Sequence, residues 1–239
     1  TADVRVDLVK KMVDNIAVRF WLLEKLLAQS PEKVDELFEI LINASGVWVN
    51  TNRRILLWYQ QLREVISVQL PLKVQVGNNL WGLACNGVHF LDLVSWLSNE
   101  KLVKIETNGL DLNWFESKRP GFMEVSGALT AIYSNGSELL LESNSDGEEF
   151  LLKIGTPAGQ WIINESTGIS MGPGNFSLAG RMELQSEMTA PLVDSILKTG
   201  FCELPSLQES AHIHRIFLSA LRVQWNENFD RKYSYIPIT

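Results

Sequence analysis

The chain has 239 residues, is 46% hydrophobic and 21% charged, and carries a formal net charge of −7. That is enough apolar material for a sizeable core and excludes a disordered chain. The acidic balance argues against a nucleic-acid surface, because Lys and Arg form no run longer than a short pair such as Arg53-Arg54 or Lys118-Arg119. Two cysteines, Cys85 and Cys202, make no disulfide framework and fit a reducing compartment. No apolar run approaches the roughly 18 residues of a membrane span, and the first residues do not form a signal peptide, so a cytoplasmic protein is expected.

Residues 3–14 place Val4, Leu8, Val9, Met12 and Val13 at helical spacing, predicting a first helix. The apolar run 18–24 predicts a buried parallel strand. Ser30 can then cap a helix with Pro31 at its first position, and Val34, Leu37, Phe38 and Leu41 form one stripe before Gly46. Residues 47–50 predict a second strand. Helix–strand–helix–strand is the rhythm of a doubly wound sheet, here without the strand and glycine loop expected to come first. Residues 1–54 therefore read as the later part of a Rossmann-type domain.

From residue 55 the rhythm changes. A helix over 55–66, a strand over 72–78 and a helix over 84–98 precede strand-like runs at 104–115, 122–143, 148–155 and 160–168. Asn135-Gly136 is a hairpin signal inside the second run. Helices over 189–199, stopped by Gly200, and from 206 on, opened by a Ser206–Glu209 capping box, close the chain. Residues 55–239 read as an α+β domain with a large, mostly antiparallel open sheet and helices on one face.

The glycine-rich stretch "GPGNFS" at 172–177 has a proline inside it and reads as a turn, not a phosphate loop. His212 and His214 sit two apart on a helix and point different ways; with Arg215 they are expected at the edge of a packed or solvated face, and no metal site is expected. Two polar clusters follow successive strands and fall on one sheet edge: Glu24-Lys25, and Asn50, Asn52 and Arg53. Ligands of open α/β sheets bind at that edge. The helix over 84–98 adds Cys85, His89 and Asp92 at spacings of four and three, which share a face.

In this order "EKLLAQS", "VDELFEIL", "VNTNRR" and "GVHFLDL" resemble the Gfo/Idh/MocA oxidoreductases, and the closing "SLQESAHIHRIFLSAL…PIT" is similar to that family's ending, especially in members tied to surface-polysaccharide sugars. The resemblance implies NAD or NADP as cofactor, with an incomplete site in this chain, so that the chain alone is inactive. It implies hydride transfer on a sugar or nucleotide-sugar, and a homo-oligomer formed through the open sheet. It places the catalytic lysine on Lys25 and the proton-accepting histidine on His89. Glu24, Lys25 and Asn52 fall to the cofactor, and Cys85, Asn86, Asp92 and Arg53 to the substrate or to support. Trp114, Lys118 and Arg119 could face an anionic group and are not assigned to the site. Two departures stand out: Leu26 occupies the place of the motif proline, whose bond is often cis, and Cys85 that of an aspartate. Both suit the alternative, a non-catalytic sugar-binding or dimerisation module.

Overall fold

The computed structural model describes residues 1–145, 149–229 and 232–239. Its first unit runs α1 (Arg5–Asn15), β1 (Phe20–Glu24), α2 (Pro31–Leu41) and β2 (Gly46–Asn50). The two strands are parallel, with Phe20 opposite Gly46 and Glu24 opposite Asn50, so Glu24 and the residues after Asn50 share one edge. The Ser30 hydroxyl accepts the Lys33 amide at 3.3 Å, and Pro31 fills the first helical position that lacks a donor to lose. Val34, Leu37 and Leu41 are buried as a stripe.

Helix α1 buries only part of its expected stripe. Val9 is buried and Met12 packs against the core, together with Val6, whereas Val4, Leu8 and Val13 are exposed. Beside this face the Arg5 guanidinium donates to the Leu26 carbonyl in the loop after β1.

The second unit begins with a 3-10 turn (Asn52–Ile55) and α3 (Leu57–Ile66), then β3 (Lys73–Gly77), α4 (Leu83–Ser98) and β4 (Leu102–Leu110). β5 (Phe115–Glu116), β6 (Met123–Glu124), β7 (Gly127–Tyr133), β8 (Glu138–Ser143) and β9 (Leu151–Thr156) follow. After β10 (Gly159–Asn164), β11 (Ile169–Met171) and β12 (Ser177–Ala179) come α5 (Gln185–Thr199) and α6 (Leu207–Asn228). Eight strands form one sheet in the order β12-β11-β10-β9-β3-β8-β7-β4. Every neighbouring pair is antiparallel except β3 and β8, so the large, mostly antiparallel sheet is present. Helices α4 and α6 pack on one face, covering Leu139 and Leu141 of β8, which alternate with the half-buried Leu140 and Glu142.

Several expected segments are subdivided. The run 104–115 breaks into β4 and the short β5, and β5 pairs only with β6, as a small sheet of its own. Asn135-Gly136 does form the β7–β8 hairpin turn, with Gly136 at φ 96. "GPGNFS" is a 3-10 turn, Pro173–Asn175, between β11 and β12. The expected strand over 148–155 starts at Leu151, and Glu148 lies outside the described residues. Helix α5 starts four residues early, where the Glu187 carboxylate accepts the Leu184 amide at 2.8 Å, and ends at Gly200. The Ser206–Glu209 box closes in both directions, at 3.2 and 2.9 Å.

Gly87 lets α4 sit where it does: a Cβ there would lie 3.2 Å from both Phe217 of α6 and Leu141 of β8. The chain's end straps the two units together. Ile236 donates to the Gln29 carbonyl, Met123 to the Pro237 carbonyl, and Ile236 and Ile238 are fully buried. One contiguous apolar core runs through both units. Among the described residues no helix is long and apolar enough to cross a membrane.

Candidate functional site

A cavity of roughly 880 Å3 opens where β1 ends, between that strand, the start of α4 and the β5–β6 hairpin. It is lined by Glu24, Lys25, Cys85 and Asn86 among the residues expected at the site. Asn52, Arg53, His89 and Asp92 are not in its lining.

Lys25 is the central group. Its Nζ donates to the Cys85 carbonyl at 3.0 Å and to Asn86 Oδ1 at 2.9 Å, and Asn86 is held in turn by donating to the Trp81 carbonyl. An ammonium has three donors; two are used, which leaves one for a ligand. Burial pushes the Lys25 pKa down, partly offset by the charges of Glu24 and Glu124. The Lys25–Leu26 peptide bond is cis. Beside Lys25, Glu24 Oε1 accepts from Asn50 Nδ2 at 2.7 Å, tying the ends of β1 and β2 together. Thus Asn50 is the partner of Glu24, and Asn52 opens the 3-10 turn beyond it.

The first turn of α4 is set by Glu124, which the sequence did not single out. Its carboxylate accepts the amides of Ala84 at 2.8 Å and Cys85 at 2.9 Å, satisfying donors a helix start leaves free. Gly82, at φ 80, makes room: a Cβ there would sit 3.1 Å from the Glu124 oxygen. Cys85 is half-buried, and burial with the nearby Glu124 pushes its thiol up to about 12. The thiol is therefore neutral, but a carboxylate does stand at this turn, supplied by β6.

The "TNRR" loop turns inward. Arg54 grips Asp92 through Nη2 at 2.5 Å and Nε at 2.9 Å, and the Thr51 hydroxyl adds a third bond to that carboxylate at 2.7 Å. Burial pushes the Asp92 carboxyl up, against the pull of Arg54 and Thr51. Arg53 is also buried. It pairs with Glu165 at 2.7 and 2.8 Å, shares that carboxylate with the Tyr59 hydroxyl, and stacks over Phe90 at 4.1 Å. These residues fix α4 against the loop and leave neither guanidinium facing the cavity.

His89 lies one turn beyond Cys85 on α4. Burial, with Arg53, Lys25 and His214 adding positive charge nearby, holds its pKa well below the ordinary histidine range. Its Nδ1 is buried without a hydrogen-bond partner among the described residues, while the ring as a whole is half-buried. His214 corrects the expectation of an edge position. It is fully buried, its Nδ1 donates to the Ser210 carbonyl at 2.8 Å, and burial lowers its pKa to about 4. His212 bonds the Leu102 carbonyl at 2.7 Å. Among the described residues no group of His, Cys, Asp and Glu could hold a metal ion. Trp114 is core, its Nε1 donating to Gln224, whereas Lys118 and Arg119 do line the cavity.

No protein-family model matches this chain, and no curated protein matches it. Solved structures do. A myo-inositol dehydrogenase from Lactobacillus casei, in complex with NAD(H) and myo-inositol, aligns with 95% of this chain and 74% of its own at TM-score 0.63 and 17% identity. A UDP-N-acetylglucosamine 3-dehydrogenase from Acidithiobacillus ferrooxidans aligns with 94% and 75% at TM-score 0.65 and 13% identity. A Gfo/Idh/MocA family oxidoreductase from Vibrio cholerae aligns with 95% and 76% at TM-score 0.60 and 16% identity. The chain thus spans about three quarters of each, and its fold is that of the Gfo/Idh/MocA oxidoreductases.

Proposed function

We propose that this chain is the substrate-binding part, with one edge of the nucleotide-binding part, of an NAD(P)-dependent oxidoreductase. Its substrate in this reading is a sugar or nucleotide-sugar, of the kind used in surface polysaccharides. The observation that carries the reading is Lys25: a half-buried amine at the carboxyl end of a parallel strand, oriented by Asn86 and the Cys85 carbonyl and lining a cavity. Fold likeness alone would not suffice, since function lives in sites.

The residues present fit one end of a nicotinamide cofactor. Glu24 and Lys25 occupy the strand edge where such sheets bind ligands, and the outer edge of β1 is unpaired among the described residues. Residues 1–54 belong in this reading to a larger parallel sheet whose glycine loop would hold the pyrophosphate. When bound, the nicotinamide supplies the hydride-accepting ring. Lys25 donates its remaining N–H to the reacting hydroxyl oxygen and stabilises the alkoxide as it forms. In this reading His89, one turn behind the cavity wall, is kept neutral by burial and its cationic neighbours, the form in which an imidazole accepts a proton. Asp92, through Arg54, keeps α4 in register with the loop that ends β2. The exposed Ile162, Ile169 and Met171 on the open face of the sheet suit self-association.

The test is NADH binding, by calorimetry, to this chain and to a longer polypeptide that supplies further parallel strands ahead of Thr1. We expect binding by the longer polypeptide, with sugar-dependent NADH formation that Lys25→Met lowers by about 10²–10⁴-fold in kcat. Sugar binding without any oxidation, in a folded protein that binds NADH, would overturn this reading. It would leave the non-catalytic module, which the neutral Cys85 thiol favours.

A further inference from the structure

The β5–β6 hairpin stands apart from the large sheet, and its turn is tightly built. The Ser117 amide donates to the Phe122 carbonyl at 2.8 Å and the Phe122 amide to the Arg119 carbonyl at 3.2 Å. The Ser117 hydroxyl donates to the Arg119 carbonyl at 2.9 Å, and the Gly121 amide reaches Glu116 Oε1 at 3.2 Å. This backbone holds Lys118 and Arg119 at the rim of the Lys25 cavity.

The cavity's charges are unequally engaged. Glu24 accepts from Asn50, Glu116 from Gly121, and Glu124 from two helix amides. Lys25 is held by Asn86 and the Cys85 carbonyl, and Arg5 by the Leu26 carbonyl. Lys118 and Arg119 alone among these charged groups make no side-chain hydrogen bond or ion pair with the described residues, and both are exposed. Arg119 is near enough that its charge opposes that of Lys25. Trp81 and Phe115 add apolar surface to the lining. So the two charged side chains of the lining that have no partner among the described residues are both cations, and both are carried by the hairpin turn.

We infer that the ligand of this site is an anionic sugar, carrying a phosphate or a carboxylate that Lys118 and Arg119 receive while a ring hydroxyl meets Lys25. This deepens the reading above and rests on it for the role of Lys25. The guanidinium of Arg119 matches either anion in two-point geometry, and Lys118 adds a compact charge. A cavity of roughly 880 Å3 holds more than a bare monosaccharide.

The experiment is calorimetric binding of four probes to the chain: glucose, glucose 1-phosphate, UDP-glucose and glucuronate. We expect the phosphate or the carboxylate probes to bind more tightly than glucose, by about 10–100-fold for a charge-assisted contact. The advantage is expected to shrink with added salt, and the stronger probe tells phosphate from carboxylate. The double variant Lys118→Ala/Arg119→Ala removes the advantage, while Lys118→Arg/Arg119→Lys retains it. Equal binding of all four probes, no binding by any anionic probe, or unchanged binding by the alanine variant would each overturn the inference. If glucose binds as well as its anionic forms and is lost on Lys25→Met, the anion site fails and the oxidoreductase reading stands.

Discussion

Two pairs of adjacent basic residues look alike in the sequence and have opposite fates. Arg53-Arg54 follows a strand and turns into the protein, where one guanidinium meets the half-buried Glu165 and the other the buried Asp92, at 2.5–2.9 Å. Lys118-Arg119 caps a hairpin turn and stays exposed at the cavity rim without a partner among the described residues. The first pair holds structure and the second is free to meet a ligand. What separates them is the carboxylate supplied by distant chain. Asp92 lies 38 residues from Arg54, and Glu165 lies 112 from Arg53.

The sharpest way to break this contrast is to remove a buried carboxylate. Asp92→Ala leaves Arg54 with a buried charge whose remaining partner, Glu209, is itself half-open to water. Breaking such a pair costs about 3–5 kcal/mol, more than exposed ion pairs return. We expect the urea midpoint of Asp92→Ala to collapse or the protein not to fold; a midpoint within error of the wild type would deny the anchor.

The next largest effect concerns the buried histidines. His214 has a folded pKa of about 4 against an ordinary unfolded value near 6.5. Below pH 6.5 the unfolded chain binds a proton that the folded one refuses, so stability is full above that pH and falls as pH drops toward 4. The loss across this window is roughly 3 kcal/mol for His214, and His89 acts in the same direction. Carboxylates such as Glu32, held at about 2 by Arg222, titrate below it. Urea unfolding of His214→Gln from pH 7 to 4 should show a shallower decline than the wild type. An equal decline in both would mean that His214 is not the buried neutral group described.

The fold was legible where a signal is local. Ser30-Pro31, Asn135-Gly136 and Ser206–Glu209 each act within a few residues, and each forms as its chemistry requires. The eight-stranded sheet was legible as a class, but not the insertion of β3 between β8 and β9, because that pairing joins segments some 65 residues apart along the chain. The face of α1 was legible in part: Val9 and Met12 pack inward as their spacing requires, whereas Val4, Leu8 and Val13 of the same stripe stay exposed. At the cavity, the ordered motifs pointed to Lys25, Cys85 and Asn86, which do converge. Glu124 and Glu165 left no trace, because neither lies near its partners in sequence and an isolated glutamate reads as surface.

The last prediction is a null effect with a purpose. Lys118→Ala/Arg119→Ala should leave the unfolding free energy within about 0.5 kcal/mol of the wild type, as exposed substitutions away from caps and pairs do. Their backbone bonds run through Ser117, Gly121 and Phe122 and survive side-chain truncation. Urea denaturation measures it. A loss as large as that of Asp92→Ala would mean that the hairpin cations hold structure after all, and the contrast between the two basic pairs would disappear. Unchanged stability together with lost anion binding would assign the two pairs to different tasks, because only a group that the fold does not need can be given over wholly to a ligand.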